Sequence, residues 1–312
     1  MNNGIISHVS VDALNDSVVE KIKKRIVSDG DKPYAKVDEI LSYLDQLCEV
    51  DFGRYLLINS GGWNGYWTNY FLTYPMRSNT DLCFKHKSDD EMTILEKHFL
   101  AKAPLVLATQ QRFQIFLQEN QKIVNKGGVF ASLPSGLLGE LLYLDYSEVK
   151  DFEIYSVDLD QKSLDFAKQN AEYLGLDQHV KFRNKDAWNL GYTDKFDLIS
   201  SNGLNIYEPD ENKVIDLYRN FYKALKDNGT LVISYLEPPI MLNKNSGMLM
   251  DKMNLEDLRV QMIVTIDILQ STWANFCTKD QMLSRLKHAG FSDFDIHYDL
   301  AHAFPTVVAT KV

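Results

Sequence analysis

The sequence predicts an α/β protein: a doubly wound, mostly parallel sheet of seven strands ends in an antiparallel hairpin and follows an N-terminal helical region. Three observations predict this fold. Apolar residues recur at helix spacing in residues 1–125, strands alternate with helices from residue 126 onward, and about seven residues join the last two strands. A parallel crossover needs roughly a dozen residues or more, so the last two strands must form a hairpin.

The helical region, residues 1–125, is interpreted as a lid or accessory region, and residues 126–312 as the α/β domain. Helix periodicity is found in 12–27, 37–57 and 91–124. The stretch 58–79, INSGGWNGYWTNYFLTYPMRSN, is rich in Gly, Asn and aromatic residues, and this composition predicts a loop.

Within the α/β domain the predicted strands are short and apolar, and the helices between them are amphipathic. Strands are predicted at 129–133, 152–159, 180–184, 196–200, 230–236, 294–298 and 306–310, and helices at 137–146, 163–174, 213–225 and 279–289. Gly175 and Gly290 follow two of these helices, at the position where glycine commonly ends a helix. Residues 237–275 form an insertion after the fifth strand, in which 255–269 is amphipathic, and the insertion is interpreted as part of the substrate cover.

Composition and charge exclude several classes of protein. A net charge of −10 without a Lys/Arg cluster argues against a nucleic-acid partner. The three cysteines, Cys48, Cys83 and Cys277, are far apart, so no metal site and a reducing compartment are expected. The N-terminus lacks the basic and apolar regions of a signal peptide, and no apolar run reaches about 20 residues. A cytoplasmic protein with no membrane partner is therefore expected, and the sequence carries no indication of its oligomeric state.

Several segments of residues 127–312 resemble, in their order and spacing, the class I S-adenosylmethionine-dependent methyltransferases. FEIYSVDLDQKSLDFAKQNAEYLGL resembles the second strand of that family with its acidic residue and following helix, and KFRNKDAWNL resembles the third strand with its acidic residue. FDLISSNGLNIYEPD and LYRNFYKALKDNGTLVIS resemble the fourth strand, the next helix and the fifth strand. The resemblance implies a Rossmann-like fold, S-adenosylmethionine as cofactor, and methyl transfer to a small-molecule substrate.

Two acidic residues stand at strand ends where the resemblance implies contacts to the nucleoside part of the cofactor. Asp158, followed by Leu159, ends the second strand, and an ionised carboxylate there can accept hydrogen bonds from both ribose hydroxyls. Asp160 is the alternative, although it also suits the cap of the next helix. Asp186 ends the third strand and would accept from the adenine amino group, with Ala187 supplying a backbone N–H.

The turn after the first strand, ASLPSGLLGELL, departs from the glycine-rich loop of the family. Ser132 stands at the acidic position, Pro134 at the first glycine position and Gly136 at the second; Leu138 takes the third, unless Gly139 serves after a shift of one residue. Proline cannot adopt positive φ or donate an N–H, so the loop suits a pyrophosphate poorly, whereas the ammonium of S-adenosylmethionine needs carbonyl acceptors. The loop residues predicted to bind the cofactor are Ser132, Leu133, Pro134 and Gly136.

Further cofactor contacts are predicted from the fourth strand and the lid. Asn202 and Gly203 follow the fourth strand, where the resemblance places the methionine part of the cofactor and the substrate. Arg112 is the predicted bidentate partner of the cofactor carboxylate, and an exposed helix charge is the alternative interpretation. Tyr66 is predicted to close over the methionine end. Further lid candidates are Trp63, Trp67, Arg77, Gln110 and Gln111.

Tyr207 and His302 are the candidate catalytic residues. Methyl transfer from a sulfonium depends mainly on positioning, and a general base matters when the acceptor is a hydroxyl or a protonated amine. Tyr207 follows the fourth-strand turn, and His302 lies in the hairpin loop at the same sheet edge. Two other function classes stay open: a non-catalytic methyltransferase-like binding module and, against the hairpin and Pro134, an NAD(P)-dependent oxidoreductase.

Overall fold

The computed structural model describes residues 16–59, 62–271 and 275–312, so the predicted start of the first helix at residue 12 lies outside them. The strands are β1 (Gly128–Ser132), β2 (Phe152–Asp158), β3 (Val180–Asn184), β4 (Phe196–Ser201), β5 (Leu225–Ser234), β6 (Asp293–His297) and β7 (Thr306–Thr310). They form one sheet in the order β3-β2-β1-β4-β5-β7-β6, in which β1 to β5 are parallel and β7 is antiparallel to both of its neighbours. The predicted fold class and terminal hairpin are confirmed.

The helices fall into an N-terminal group and a group that alternates with the strands. The first group is α1 (Asp16–Asp29), α2 (Val37–Glu49), α3 (Asp51–Ile58), α4 (Gly65–Thr73), α5 (Ile94–Ala101) and α6 (Pro104–Val124). The second group is α7 (Gly139–Leu142), α8 (Gln161–Tyr173), α9 (Glu211–Ala224), α10 (Leu255–Met262) and α11 (Lys279–Ala289). A π-helical segment, Ile263–Ile268, continues α10.

Both faces of the sheet are buried, which explains why its parallel strands are almost continuously apolar. In β5, Val232 packs into the core under α6, α7 and α8, whereas Leu231 and Ile233 pack into the core under α9 and α11. This alternation follows from the two-residue period of a strand. The same period directs Ser234, the last residue of β5, toward the α6 face.

The predicted helix 37–57 is broken at Val50, where the backbone is extended with φ −100° and ψ 136°. Helix α3 then turns back so closely that a side chain on Gly53 would collide with the backbone carbonyl oxygen of Leu47. Tertiary packing therefore divides a stretch whose periodicity alone is continuous. The break in the predicted helix 91–124 comes between α5 and α6, and Pro104 is the first residue of α6.

The prediction that 58–79 is a loop was wrong for its central part, which forms α4. Asn64 caps this helix by accepting from the backbone N–H of Trp67 at 2.9 Å. The aromatic residues then become core: the Phe71 ring meets the rings of Phe52 and Trp63 edge-on, with centroids 5.0 and 4.7 Å apart. Buried aromatic area outweighs the weak helix preference of such residues.

The predicted helix 137–146 shrinks to the four residues of α7 because Leu138 has a left-handed backbone with φ 62°. A left-handed residue cannot continue a right-handed helix.

The insertion packs on the N-terminal helices. Arg25 of α1 donates to the carbonyl oxygens of Asp267 and Ile268 at 2.9 and 2.6 Å, and Ile263 and Val264 join the core of the N-terminal helices. Helix α6 contacts β4, β5 and β7 directly. The domain boundary at residue 125 therefore remains a prediction, with α6 as the element that touches both parts.

Candidate active site

The crevice for a ligand lies where the strand order reverses. β1 is flanked by β2 on one side and β4 on the other, so the turns that follow these three strands diverge around one opening. In open α/β sheets this point, at the carboxyl ends of the strands, is where ligands bind.

The N–H groups of the loop after β1 donate hydrogen bonds to other parts of the protein. The N–H of Leu133 donates to the Ser200 carbonyl oxygen at 3.0 Å, and that of Ser135 to the Val157 carbonyl oxygen at 2.9 Å. The N–H of Gly136 donates to Oδ2 of Asp158 at 2.9 Å, and Pro134 has no N–H. A pyrophosphate would need these donors, so the loop offers a ligand mainly carbonyl oxygens.

The acidic residues after β2 separate into two roles. Asp160 caps α8 by accepting from the N–H groups of Lys162 and Ser163, which confirms its predicted role as a helix cap. Asp158 stands beside the loop, and its Oδ1 accepts from the N–H of Asp160 at 2.9 Å. Burial raises the pKa of the Asp158 carboxyl to about 6. Each carboxylate oxygen of Asp158 keeps a second lone pair for a ligand. Leu159, the next residue, is exposed.

The turn after β3 is held by Asp186, whose carboxylate accepts from the N–H of Trp188 at 2.9 Å. Ala187 is buried behind it. The indole N–H of Trp188 donates to the Lys213 carbonyl oxygen at 2.9 Å, so this ring is anchored on α9.

Arg112 is the least compensated charge in the crevice. Its side chain is only 7% exposed, and the exposed-charge alternative is excluded. Nη1 donates to Oγ of Ser234 at a long 3.4 Å, the guanidinium lies 4.8 Å from the centre of the Phe304 ring, and Nε has no hydrogen-bond partner in the described chain. Arg112 forms no ion pair with the described residues, and burial lowers its pKa to about 10, although the charges of Glu140 and Asp299 oppose the fall. The guanidinium still carries its charge at neutral pH.

Glu140 supplies the acidic group that the loop lacks at Ser132. Its side chain is 5% exposed, and Oε1 accepts from the Ser132 hydroxyl at 2.5 Å. Burial raises the pKa of the Glu140 carboxyl, while hydrogen bonds from Ser132, Ser200 and Asn202 and the charge of Arg112 oppose the rise. Sequence reasoning missed this residue because it was placed in a helix. The sequence does give one indication, since Glu140 is the only acidic residue in the segment ASLPSGLLGELL.

The turn after β4 completes the polar wall of the crevice. Gly203 has φ 92°, and a Cβ placed on it would lie 3.5 Å from Nη1 of Arg112. Oδ1 of Asn202 is buried without a hydrogen-bond partner in the described chain. Tyr207 follows this turn; burial raises the pKa of its hydroxyl, and the charge of Arg112 opposes the rise. Gly203 and Tyr207 thus lie near Arg112, and Asn202 lies near Glu140.

The lid candidates lie directly on the loop. A Cβ built on Gly65, the first residue of α4, would lie 2.9 Å from Cα of Gly136 and 2.6 Å from the Ser163 hydroxyl oxygen. The Tyr66 ring packs against Phe84 and Phe166, with centroids 5.7 and 5.4 Å apart. The start of α4 therefore covers Gly136, and the Tyr66 ring rests on α8.

His302 lies apart from Tyr207, in a second cavity beside the end of β5. Its backbone has φ 53°, and its ring packs against that of Tyr298 at an angle of 31° with centroids 4.3 Å apart. Among the described residues, no group of three or more His, Cys, Asp or Glu side chains could hold a metal ion. Nor is any described helix both long and apolar enough to cross a membrane.

Comparison with known proteins agrees with the fold. A family model described as a methyltransferase domain matches residues 135–290, half of the 312-residue chain. The chain belongs to this methyltransferase family, within the class I S-adenosylmethionine-dependent enzymes, and S-adenosylmethionine is the cofactor.

Two solved structures illustrate the similarity. A possible exported protein from Bordetella parapertussis is 35% identical, with 95% of this chain and 94% of that chain covered and a TM-score of 0.86. Magnesium protoporphyrin IX methyltransferase from Synechocystis PCC 6803, solved with bound SAH, is 15% identical, with 79% and 97% covered and a TM-score of 0.50. The second likeness is one of fold alone. A search of curated proteins found no match.

Proposed function

We propose that this chain transfers the methyl group of S-adenosylmethionine to a small-molecule acceptor, and that Arg112 binds the carboxylate of the cofactor. The observation that carries this proposal is the state of Arg112: a buried, charged guanidinium with one long hydrogen bond and an unpartnered Nε. Leaving such a group unpaired costs several kcal/mol, roughly, unless a ligand completes it. A carboxylate is the natural bidentate partner.

The two buried charges match the zwitterionic end of the cofactor. Its amino-acid end carries one anion and one cation, and the crevice offers the Arg112 guanidinium and, bonded to Ser132 of the loop, the buried Glu140 carboxyl, with no ion pair between these two in the described chain. We propose that Glu140 and the loop carbonyls accept from the ammonium. Asp158 with Leu159 would hold the ribose, and Asp186 with Ala187 the adenine. The remaining proposed cofactor contacts are Ser132, Leu133, Pro134, Gly136, Asn202, Gly203 and Tyr66.

When bound, S-adenosylmethionine supplies an electrophilic methyl group on its sulfonium. The side chains of this protein contribute mainly position: Arg112 and Glu140 fix the amino-acid end, so the acceptor can be held on the opposite side of the methyl carbon. Tyr207, with a raised hydroxyl pKa, stays protonated at neutral pH and acts as a hydrogen-bond donor to the acceptor. His302 is the proposed general base for a hydroxyl or ammonium acceptor.

Calorimetric titration with S-adenosylhomocysteine tests the proposal. The wild type should bind, and Arg112→Met should lose about 2–3 kcal/mol, or roughly 30- to 150-fold in affinity, as expected for a charge-assisted pair. Arg219→Met, which removes an exposed arginine of α9 paired with Asp216, should bind as the wild type does. Absence of binding to the wild type at millimolar ligand would favour a non-catalytic binding module instead.

We further propose a cytoplasmic location and no nucleic-acid partner. Support comes from the net charge of −10 and the absence of a Lys/Arg cluster in the sequence.

A further inference from the structure

A second cavity of about 630 Å³ lies beside the end of β5, between the insertion, the start of α11 and the β6–β7 loop. This volume is typical of small-molecule sites. Its lining includes Tyr235, Glu237, Lys279, Asp280, Tyr298 and His302.

Two buried polar side chains point to a ligand in this cavity. Tyr235 is 1% exposed, and its hydroxyl has no partner with hydrogen-bond geometry in the described chain, although the Glu237 carboxylate is close enough to raise its pKa. Glu237 is 2% exposed and makes no ion pair with any described residue; one oxygen accepts from the N–H of Gly247 at 2.9 Å. Both residues lie on the same face of the chain that continues β5. A buried carboxylate without a cation is costly, so the site suits a ligand that brings one.

The rest of the lining favours a cation as well. The rings of Tyr298 and His302, tilted by 31° against each other, lie at the mouth, where Tyr298 is 39% exposed, and the face of an aromatic ring attracts an ammonium. Burial raises the pKa of the Glu237 carboxyl, and the charge of a second carboxylate, Asp280, adds to the rise. Lys279 is the one lysine or arginine in the described lining, and its side chain is exposed at the start of α11.

The cavity and the crevice are linked along the chain by two segments, although Ser234 and Tyr235 face opposite sides of the sheet. Ser234 contacts Arg112, and the next residue, Tyr235, lines the cavity. Phe304 lies under the Arg112 guanidinium, and His302, two residues before it, lines the cavity too. In each segment, therefore, one residue contacts Arg112 in the crevice and a residue one or two positions away lines the cavity.

We propose that this cavity binds the methyl acceptor through an ammonium group, which pairs with Glu237 and accepts no methyl itself, while the body of the acceptor lies on the Tyr298–His302 ring pair. The substrate class is thus a small organic cation of cavity size. The assignment as acceptor rests on the proposed methyltransferase function, whereas the binding of the cation does not.

Calorimetric titration at pH 7 with benzylammonium, and with benzyl alcohol as its neutral counterpart, tests the proposal. The wild type should bind benzylammonium at least about tenfold more tightly than benzyl alcohol, and Glu237→Gln should remove that preference. Glu148→Gln, which removes an exposed acidic charge outside the cavity, should keep it. Tyr235→Phe should weaken the binding of benzylammonium about threefold. This variant tests the proposal if Glu237→Gln does not fold.

Equal affinity for the two probes, or an unchanged preference in Glu237→Gln, would overturn the proposal. S-adenosylhomocysteine serves as the independent readout: Glu237→Gln should bind it as the wild type does. If the wild type binds benzylammonium but not S-adenosylhomocysteine, the proposed function fails and the cation site stands. The reverse result rejects the cation site alone.

Discussion

Replacing Arg112 by Met should stabilise the ligand-free protein and reduce its stabilisation by cofactor. The reasoning starts from the pKa of Arg112, which burial lowers from its ordinary value to about 10. At about 1.4 kcal/mol for each tenfold change in proton affinity, the charged form costs the folded state about 3 kcal/mol. The sign follows because the unfolded chain holds this charge more easily: the cost is fully present below pH 10 and is lifted as pH rises toward 12.5.

Methionine removes that cost but also loses two favourable contacts. The guanidinium lies over the Phe304 ring and bonds to Ser234, and such contacts are worth about 1 kcal/mol together. The expected net gain is about 2 kcal/mol. Unfolding entropy is about 2.1 cal/mol/K per residue, or about 0.65 kcal/mol/K for 312 residues, so Tm should rise by about 3 °C.

Thermal melting with and without S-adenosylhomocysteine measures both effects. The wild type should melt at a higher temperature when ligand is added, because binding to the folded state alone stabilises it. Arg112→Met should melt at a higher temperature without ligand and show a ligand-induced rise that is smaller by about 2–3 kcal/mol of stabilisation, and Arg219→Met should match the wild type in both measurements. A Met variant that melts several degrees lower without ligand, or that keeps the full ligand response, would refute the view that Arg112 is held ready for a carboxylate.

Three further predictions follow from single distances and pKa values. Gly65→Ala places a Cβ 2.9 Å from Cα of Gly136, so it should displace the start of α4 and weaken the binding of S-adenosylhomocysteine about tenfold, measured by calorimetry. The control Gly247→Ala, whose Cβ would have its nearest neighbour at 3.7 Å, should leave this affinity unchanged. If Asp158 binds the ribose as a carboxylate, affinity should be constant above pH 7 and fall about tenfold per unit below about pH 6, whereas Asp158→Asn should bind weakly at every pH; a parallel pH profile in both would contradict this. Gly53→Ala should lower the free energy of unfolding by about 2 kcal/mol or more, measured by urea unfolding, because its Cβ would overlap a backbone carbonyl of α2; a stability within 0.5 kcal/mol, roughly, of the wild type would exclude that overlap.

The fold could be predicted because local sequence patterns indicate its strands, helix ends and hairpin. Short apolar strands, helix-ending glycines and the short connection before Thr306 each follow from backbone geometry within a few residues. The errors have one physical origin, which is packing between distant segments. Helix α4 forms because Phe71 packs between Phe52 and Trp63, and a periodic stretch divides at Val50 because α3 packs back on α2.

The positions of candidate site residues at strand ends could be predicted from the sequence. The contacts that depend on how distant segments pack could not. Asp158 and Asp186 stand after β2 and β3, and the parallel topology brings those ends together. The partners of Arg112 could not be read from helix periodicity, because one lies on β5 and the other in the hairpin loop. Glu140 reaches Ser132 across a left-handed turn at Leu138 that no local pattern indicated.

The loop and the lid together explain how a turn without the usual glycines can serve this family. The N–H groups of Leu133, Ser135 and Gly136 are bonded within the protein, so under the proposed function the amino-acid end is recognised by side chains on helices. Arg112 comes from α6, and two residues earlier Gln110 donates to the carbonyl oxygens of α4 and α5 at 3.1 and 2.9 Å. The same helix thus presents the charge to the crevice and holds the lid that covers Gly136. A ligand that pulls on Arg112 acts on the element that positions the lid, so cofactor binding and lid docking should be thermodynamically coupled.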